Sequence, residues 1–252
     1  SKKIVTFVTG GDPDFKTSNE IIKKIASNNI DIIEIGMPFS DPMADGPTIQ
    51  LSSNRAINSG IEMKEIFQLA FNAKLLNSKL PIILMGYYNV IYHYGIQKFV
   101  HNCVSNGVDG LIIVDLQPEE DEDLVYELKK NNIYLIRLIT PTTDQSRLKL
   151  ILKNANGFLY YVSVMGITGQ KSANVEELES KIKFIKQFTN LPVIPGFGIK
   201  NSSDVSNICK IADGAVVGSS IIRLIEKNLN DKKLMLKEID KFTKDLKKGT
   251  SI

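Results

Sequence analysis

Residues 30–50 read IDIIEIGMPFSDPMADGPTIQ. The run 30–35 is almost continuously hydrophobic, which is typical of a parallel strand buried on both faces. The glycine, prolines and aspartates that follow are turn formers, so they end the strand and predict a loop. This stretch therefore predicts one buried strand followed by a polar loop.

Seven further apolar runs have the same character, and each is followed by a stretch with helical period. They are IVTFVT (4–9), PIILM (81–85), GLIIVD (110–115), YLIRLI (134–139), FLYYV (158–162), PVIP (192–195) and GAVVG (214–218). Eight βα units in 252 residues favour a closed (β/α)8 TIM barrel, in one domain over residues 1–252. An open doubly wound sheet usually has fewer strands and a GxGxxG turn, which TGGDP (9–13) lacks.

The charge balance argues against nucleic acid as a partner. There are 31 basic and 28 acidic residues, and the basic excess lies largely in residues 233–248, which read as a solvated amphipathic helix. Aromatic residues do not alternate with these lysines as in a nucleic-acid site. No apolar run approaches the roughly 18 residues that cross a bilayer, and no secretory leader is evident. We expect a cytoplasmic protein without membrane contact.

Cysteine and histidine are too few and too scattered to indicate a disulfide framework or a metal site. Cys103 and Cys209 lie in different predicted helices, and His93 and His101 belong to no metal-binding motif. The sequence therefore predicts a reducing compartment and no metal, so acid–base chemistry has to come from carboxylates.

Glu34 interrupts a buried isoleucine run near the end of the second predicted strand. A carboxylate there is unfavourable unless it is paired, hydrated or neutral. One interpretation is a structural pair with a polar group of a neighbouring strand. The other is a catalytic acid whose pKa burial raises towards neutrality. For Asp41 and Asp45 in the next loop, an ordinary turn is the stronger alternative.

Two glycine turns follow the last two predicted strands, at 196–205 and 212–226. Loops in these places form the phosphate site of many barrels. Gly218, Ser219 and Ser220 would open a helix whose first N–H groups face a phosphate dianion. Any single glycine here could be a turn former alone. The loop YVSVMGITGQKSAN (161–174), before a helix starting near Val175, is either an active-site lid or an ordinary connection.

The segment IEIGMPFSDPMADG (33–46) closely resembles the signature of tryptophan synthase alpha subunits. The resemblance extends along the whole chain. It includes TFVTGGDP (6–13), LMGYYN (84–89), IVDLQPEE (113–120), GITG (166–169), GFGI (196–199) and GSSII (218–222).

The resemblance implies roles for individual residues. Glu34 matches the family's acid–base glutamate, Asp45 its aspartate facing the indole nitrogen, and Tyr160 the tyrosine near the glutamate. Phe7 and Met85 fall where the family lines the indole pocket. The substrate-binding positions at the lid and the phosphate are Thr168, Gly169, Gly198, Gly218 and Ser219.

The implied reaction is a retro-aldol cleavage of indole-3-glycerol phosphate to indole and glyceraldehyde 3-phosphate. It needs no cofactor in this chain. The resemblance also implies an αββα heterotetramer with a beta chain that carries pyridoxal phosphate. Pro38, Asp41 and Thr168 would communicate with that partner.

Other barrel enzymes that bind phosphate remain alternatives, namely a sugar-phosphate isomerase, an indole-glycerol phosphate synthase or a flavin enzyme. The SDPMADG loop (40–46) argues against each of them. A non-catalytic subunit that only activates a partner is a further alternative, against which Glu34 and Asp45 argue.

Overall fold

The computed structural model describes residues 2–162, 171–196 and 198–251, with the backbone alone for 171–174. Parallel strands alternate with helices along these ranges. The strands are β1 (Lys3–Thr9), β2 (Ile32–Gly36), β3 (Ile82–Gly86), β4 (Gly110–Ile113), β5 (Tyr134–Leu135), β6 (Arg137–Ile139), β7 (Leu159–Val162), β8 (Val193–Gly196) and β9 (Gly214–Val217).

The helices lie between and after these strands. They are α1 (Phe15–Ala26), α2 (Pro47–Asn58), α3 (Met63–Leu76), α4 (Tyr88–Tyr94), α5 (Ile96–Ser105), α6 (Glu122–Lys130), α7 (Gln145–Leu152), α8 (Lys171–Lys186), α9 (Ser202–Cys209), α10 (Ser219–Lys227) and α11 (Lys232–Lys248).

The strands form one sheet in the order β5-β4-β3-β2-β1-β9-β8-β7-β6. β5 and β6 belong to a single predicted strand, 134–139, which changes partner at Ile136. β5 pairs with β4, β6 pairs with β7, and the Ile136 N–H donates to the Leu111 carbonyl at 2.9 Å. Because one continuous segment links the two ends of the sheet, the strands enclose a barrel, and the predicted TIM-barrel fold is confirmed.

Two apolar layers hold this arrangement together. Inside the barrel, side chains from successive strands pack on each other: Val5, Ile83, Ile112, Ile136, Phe158, Ile194 and Val216. A larger layer between strands and helices includes Ile33 and Ile35 of β2 and the inner face of α1. Since side chains alternate along a strand, Glu34 points to the opposite side from Ile33 and Ile35.

Helix starts follow local sequence signals. The Asp14 side chain accepts a hydrogen bond from the Thr17 N–H at the start of α1, and α10 begins at Ser219, directly after Gly218. The helix expected near Val175 already includes Lys171. Cys103 and Cys209 lie in α5 and α9, and both are free and buried.

No helix in the described ranges is both long and apolar enough to span a membrane. The same ranges contain no group of three or more His, Cys, Asp or Glu residues arranged to hold a metal ion.

Candidate active site

Glu34 lies on β2, opposite Phe7 of β1 and Ile83 of β3. It is completely buried, and within the described residues neither carboxyl oxygen has a hydrogen-bond partner. Burial, with a smaller contribution from the negative charge of Asp45, raises the pKa of Glu34 to about 8. A carboxyl group with that pKa can both donate and accept a proton near neutral pH.

Asp45 lies between β2 and α2, two residues before α2 begins. Its carboxylate is half-buried and accepts a hydrogen bond from the Tyr87 hydroxyl at 3.1 Å. Burial raises the pKa of Asp45, and the Tyr87 hydrogen bond opposes this by stabilising the charged form. Since the charge of Asp45 also raises the pKa of Glu34, the two carboxyl groups lie near each other but in different surroundings.

Tyr87 is a site residue that the sequence analysis did not identify. Its hydroxyl also accepts a hydrogen bond from the Ala44 N–H at 3.0 Å, and its ring stacks on Phe39 with centroids 5.1 Å apart. Tyr87 thus fixes Asp45 and the part of the loop that precedes it. The LMGYYN motif placed this tyrosine after β3, but nothing in the motif showed that it reaches a loop 42 residues earlier.

Tyr160 lies on β7, next to Ile194 of β8. Burial, reinforced by the negative charges of Glu34 and Asp45, raises the pKa of its hydroxyl well above the ordinary value. The hydroxyl therefore stays protonated and can act as a hydrogen-bond donor. Gly196 provides the space for it, because a Cβ there would lie 2.9 Å from the Tyr160 oxygen.

A cavity of about 940 Å³ opens at the carboxyl ends of the strands. Most of the predicted site residues within the described ranges line it: Phe7, Asp45, Met85, Tyr160, Gly198, Gly218 and Ser219. Glu34 is not among the described lining residues, and it is completely buried. Lining residues that the sequence analysis did not identify include Ile113, Leu138, Val216, Lys200 and Arg223.

The glycine turns form one end of this cavity. Gly198 has a φ of +58°, a left-handed conformation that favours glycine. A Cβ on Gly218 would lie 3.2 Å from the Phe7 Cβ, so glycine also allows close packing here. The first N–H groups of α10, beginning at Ser219, have no acceptor within the helix and carry the positive end of its dipole. This end of the cavity suits an anion.

The remaining predicted residues lie elsewhere. Thr168 and Gly169 fall outside the described residues. Pro38 and Asp41 belong to the loop that carries Asp45, where Asp41 is exposed and accepts a hydrogen bond from the Ser40 hydroxyl at 2.9 Å. Neither residue lines the described part of the cavity.

The fold and this arrangement define a (β/α)8-barrel enzyme whose site lies at the carboxyl ends of its strands. A family model described as tryptophan synthase alpha chain matches residues 1–251. A tryptophan synthase alpha chain from Petrotoga mobilis is 43% identical over 247 residues, which cover 98% of this chain and 95% of the relative.

Solved structures agree with this match. The alpha subunit from Legionella pneumophila str. Paris has a TM-score of 0.91 at 32% identity, with 99% of this chain and 93% of that chain covered. The alpha subunit from Campylobacter jejuni has a TM-score of 0.84 at 37% identity, with 96% and 95% covered. This chain belongs to the tryptophan synthase alpha chain family. It is a lyase that cleaves indole-3-glycerol phosphate to indole and glyceraldehyde 3-phosphate.

Proposed function

We propose that Glu34 and Asp45 carry the cleavage between them, Glu34 by moving protons and Asp45 by stabilising positive charge. The observation that carries this proposal is the completely buried carboxyl group of Glu34, which has no hydrogen-bond partner among the described residues and lies near enough to Asp45 for that charge to raise its pKa. Members of the family need no cofactor in the alpha chain, so side chains have to perform the chemistry.

The reaction requires two proton transfers. C3 of the indole ring gains a proton, the side-chain hydroxyl loses one, and the bond between C3 and the glycerol chain breaks. A group with a pKa of about 8 is suited to both transfers near neutral pH. Because Glu34 is completely buried, we expect its side chain to change rotamer when substrate binds.

Protonation of C3 places positive charge on the ring nitrogen. A negative Asp45 facing that nitrogen stabilises the transition state more than the ground state. Tyr87 supports the charged form of Asp45 through its hydrogen bond at 3.1 Å. Tyr160, which keeps its proton and lines the cavity, would donate a hydrogen bond to the substrate.

The cavity has an apolar part and an anion-binding part. We propose that Phe7 and Met85 contact the indole ring, and that Gly198, Gly218 and Ser219 bind the phosphate, with Thr168 and Gly169 of the lid. A phosphate held at the start of α10 anchors the substrate, so the scissile bond is oriented against the two carboxyl groups.

The partner in this proposal is a tryptophan synthase beta chain that carries pyridoxal phosphate, in an αββα assembly. Exposed apolar side chains near the Asp45 loop support it. Met43 is 86% exposed, and Tyr92 on α4 is 66% exposed. The hydrogen bond between Ala44 and Tyr87 brings the loop against the start of α4. Pro38, Asp41 and Thr168 would then communicate the binding of the partner to the active site.

Single-domain organisation and a cytoplasmic location stay predictions.

Asp45→Asn tests the division of roles. The amide keeps the shape and the turn but lacks the charge, so kcat should fall by about 10²-fold while KM changes by less than about threefold. Steady-state indole release over a range of substrate concentrations measures both constants. A change in KM alone would make Asp45 a binding residue.

A further inference from the structure

α2 begins two residues after Asp45, and few of its apolar side chains are buried. Its buried residues are Ser52, Ser53 and Ala56, while Ile49 packs partly buried against the core, and the whole helix lies within the described ranges. By contrast, α10 buries Ile221, Ile222 and Ile225. Burial of small and hydroxyl side chains stabilises a helix much less than burial of isoleucines. The position of α2 on the barrel therefore depends on other contacts.

Polar contacts hold α2 to the end of β1 and the turn that follows it. The Arg55 guanidinium binds both carboxylate oxygens of Asp12, with Nε–Oδ1 at 2.7 Å and Nη2–Oδ2 at 2.8 Å. Asp12 is completely buried in the turn after β1. A second contact joins the hydroxyl groups of Ser52 and Thr9. Arg55 also lies 3.8 Å from Glu226 of α10.

A two-pronged contact fixes direction as well as distance, because both N–H groups have to meet both oxygens. It therefore opposes sliding or rotation of α2. The Gln50 side chain links α2 to Asp45, since its Nε2 donates a hydrogen bond to the Asp45 backbone carbonyl at 2.8 Å. Asp45 is thus held by Tyr87 from one side and by α2 from the other.

We propose that Arg55 is a positioning residue for the reaction: by anchoring α2 to Asp12, it sets the place of the Asp45 carboxylate. This inference rests on the role proposed for Asp45. Arg55 acts through the helix and does not line the described part of the cavity.

Arg55→Lys is the first test, because lysine keeps the charge but cannot bind both oxygens in one plane. Small displacements of a catalytic group lower turnover strongly, so we expect kcat to fall by about tenfold or more. Binding of glycerol 3-phosphate should stay within about twofold, since α10 keeps its buried isoleucines. Both are measured with purified protein, by indole release and by titration calorimetry.

Lys74→Met is the matched control. Lys74 and Asp109 form an ion pair at 2.7 Å at the amino-terminal end of the barrel. This variant also loses a partly buried ion pair, so its thermal stability should decrease while kcat stays at the wild-type value. An equal decrease of kcat in the control would mean that Arg55 acts through global stability alone.

A double variant separates positioning from a merely structural role. If Arg55 acts through Asp45, Arg55→Lys should change kcat by less than about twofold when Asp45→Asn is already present. Full additivity of the two effects would overturn the proposal. If Asp45→Asn alone leaves kcat unchanged, the proposed role of Asp45 has failed, whatever Arg55 does.

Ser52→Ala tests the anchoring of α2 if the Arg55→Lys protein does not fold. It removes the contact to Thr9 and leaves the Arg55–Asp12 pair. A decrease of kcat that vanishes in the Asp45→Asn background supports the anchoring of Asp45 by α2. Wild-type kcat in Ser52→Ala would assign the anchoring to the Arg55–Asp12 pair alone, and Asp12→Asn, which removes one of the two acceptor oxygens, should then lower kcat. Wild-type kcat in both variants contradicts the proposal.

Discussion

Burial of Glu34 should make the fold less stable as the pH rises. The pKa is about 8 in the folded chain, against 4.5 for the free group. Between these values the folded state binds more protons than the unfolded state, so the free energy of unfolding decreases with increasing pH. The stability that Glu34 contributes is fully present below pH 4.5, the pKa of the free group. It is lost as the pH rises through the folded-state pKa of about 8.

The size of the effect follows from the shift in pKa. One pKa unit corresponds to about 1.4 kcal/mol, so the wild type should lose about 2–3 kcal/mol through Glu34 between about pH 5 and pH 7. A further loss of about 1–2 kcal/mol is expected up to about pH 9. Glu34→Gln has no charge to bury. It should therefore be more stable than the wild type at neutral and alkaline pH, and the difference should grow with pH.

Urea unfolding at several pH values measures this difference. The chain has no tryptophan, so far-ultraviolet circular dichroism is the suitable signal. Glu122→Gln, at the exposed start of α6, controls for the change in net charge. A Glu34→Gln protein that is less stable than the wild type by the same amount at every pH would contradict this prediction. Glu34 would then be a structural hydrogen-bonding group.

Three further predictions concern other parts of the site. Tyr87→Phe removes the hydrogen bond to Asp45 and should lower kcat for indole release by about tenfold with little change in KM; unchanged kcat would show that Tyr87 only packs on Phe39. Gly218→Val places a branched side chain at the start of α10 and against Phe7. It should weaken glycerol 3-phosphate binding about tenfold more than binding of an indole analogue without phosphate, and equal losses in calorimetry would indicate collapse of this end of the barrel. Asp41→Ala should leave the activity of the isolated chain nearly unchanged but reduce its activation by a beta chain by about fivefold, and wild-type activation would remove Asp41 from the communication.

The strands were predictable because a barrel strand buried on both faces leaves an uninterrupted apolar run. The change of partner strand at Ile136 was not predictable, because an apolar run does not show which neighbouring strand each backbone N–H and carbonyl bonds to. Ile136 still bonds to Leu111 on the β4 side, whereas the ladder to β7 begins at Arg137. One predicted strand therefore became β5 and β6.

Glu34 stood out because a charge within an apolar strand is unfavourable, and this is visible in the sequence alone. Tyr87 and Arg55 gave no such signal. Their hydrogen bonds reach Asp45 and Asp12, which lie 42 and 43 residues away along the chain. A tyrosine after a strand and an arginine on a helix are ordinary surface or packing residues until the fold brings their partners together. The parts of the site that depend on long-range pairing therefore required the structure.

The proposed role of Glu34 is tested most directly by indole release from saturating indole-3-glycerol phosphate, measured for the isolated wild-type chain and for Glu34→Gln. We expect Glu34→Gln to bind glycerol 3-phosphate as the wild type does but to release indole about 10²–10⁴-fold more slowly, because the amide cannot exchange the proton. A Glu34→Gln chain that keeps about half or more of the wild-type kcat would contradict the assignment of Glu34 as the proton-transfer group.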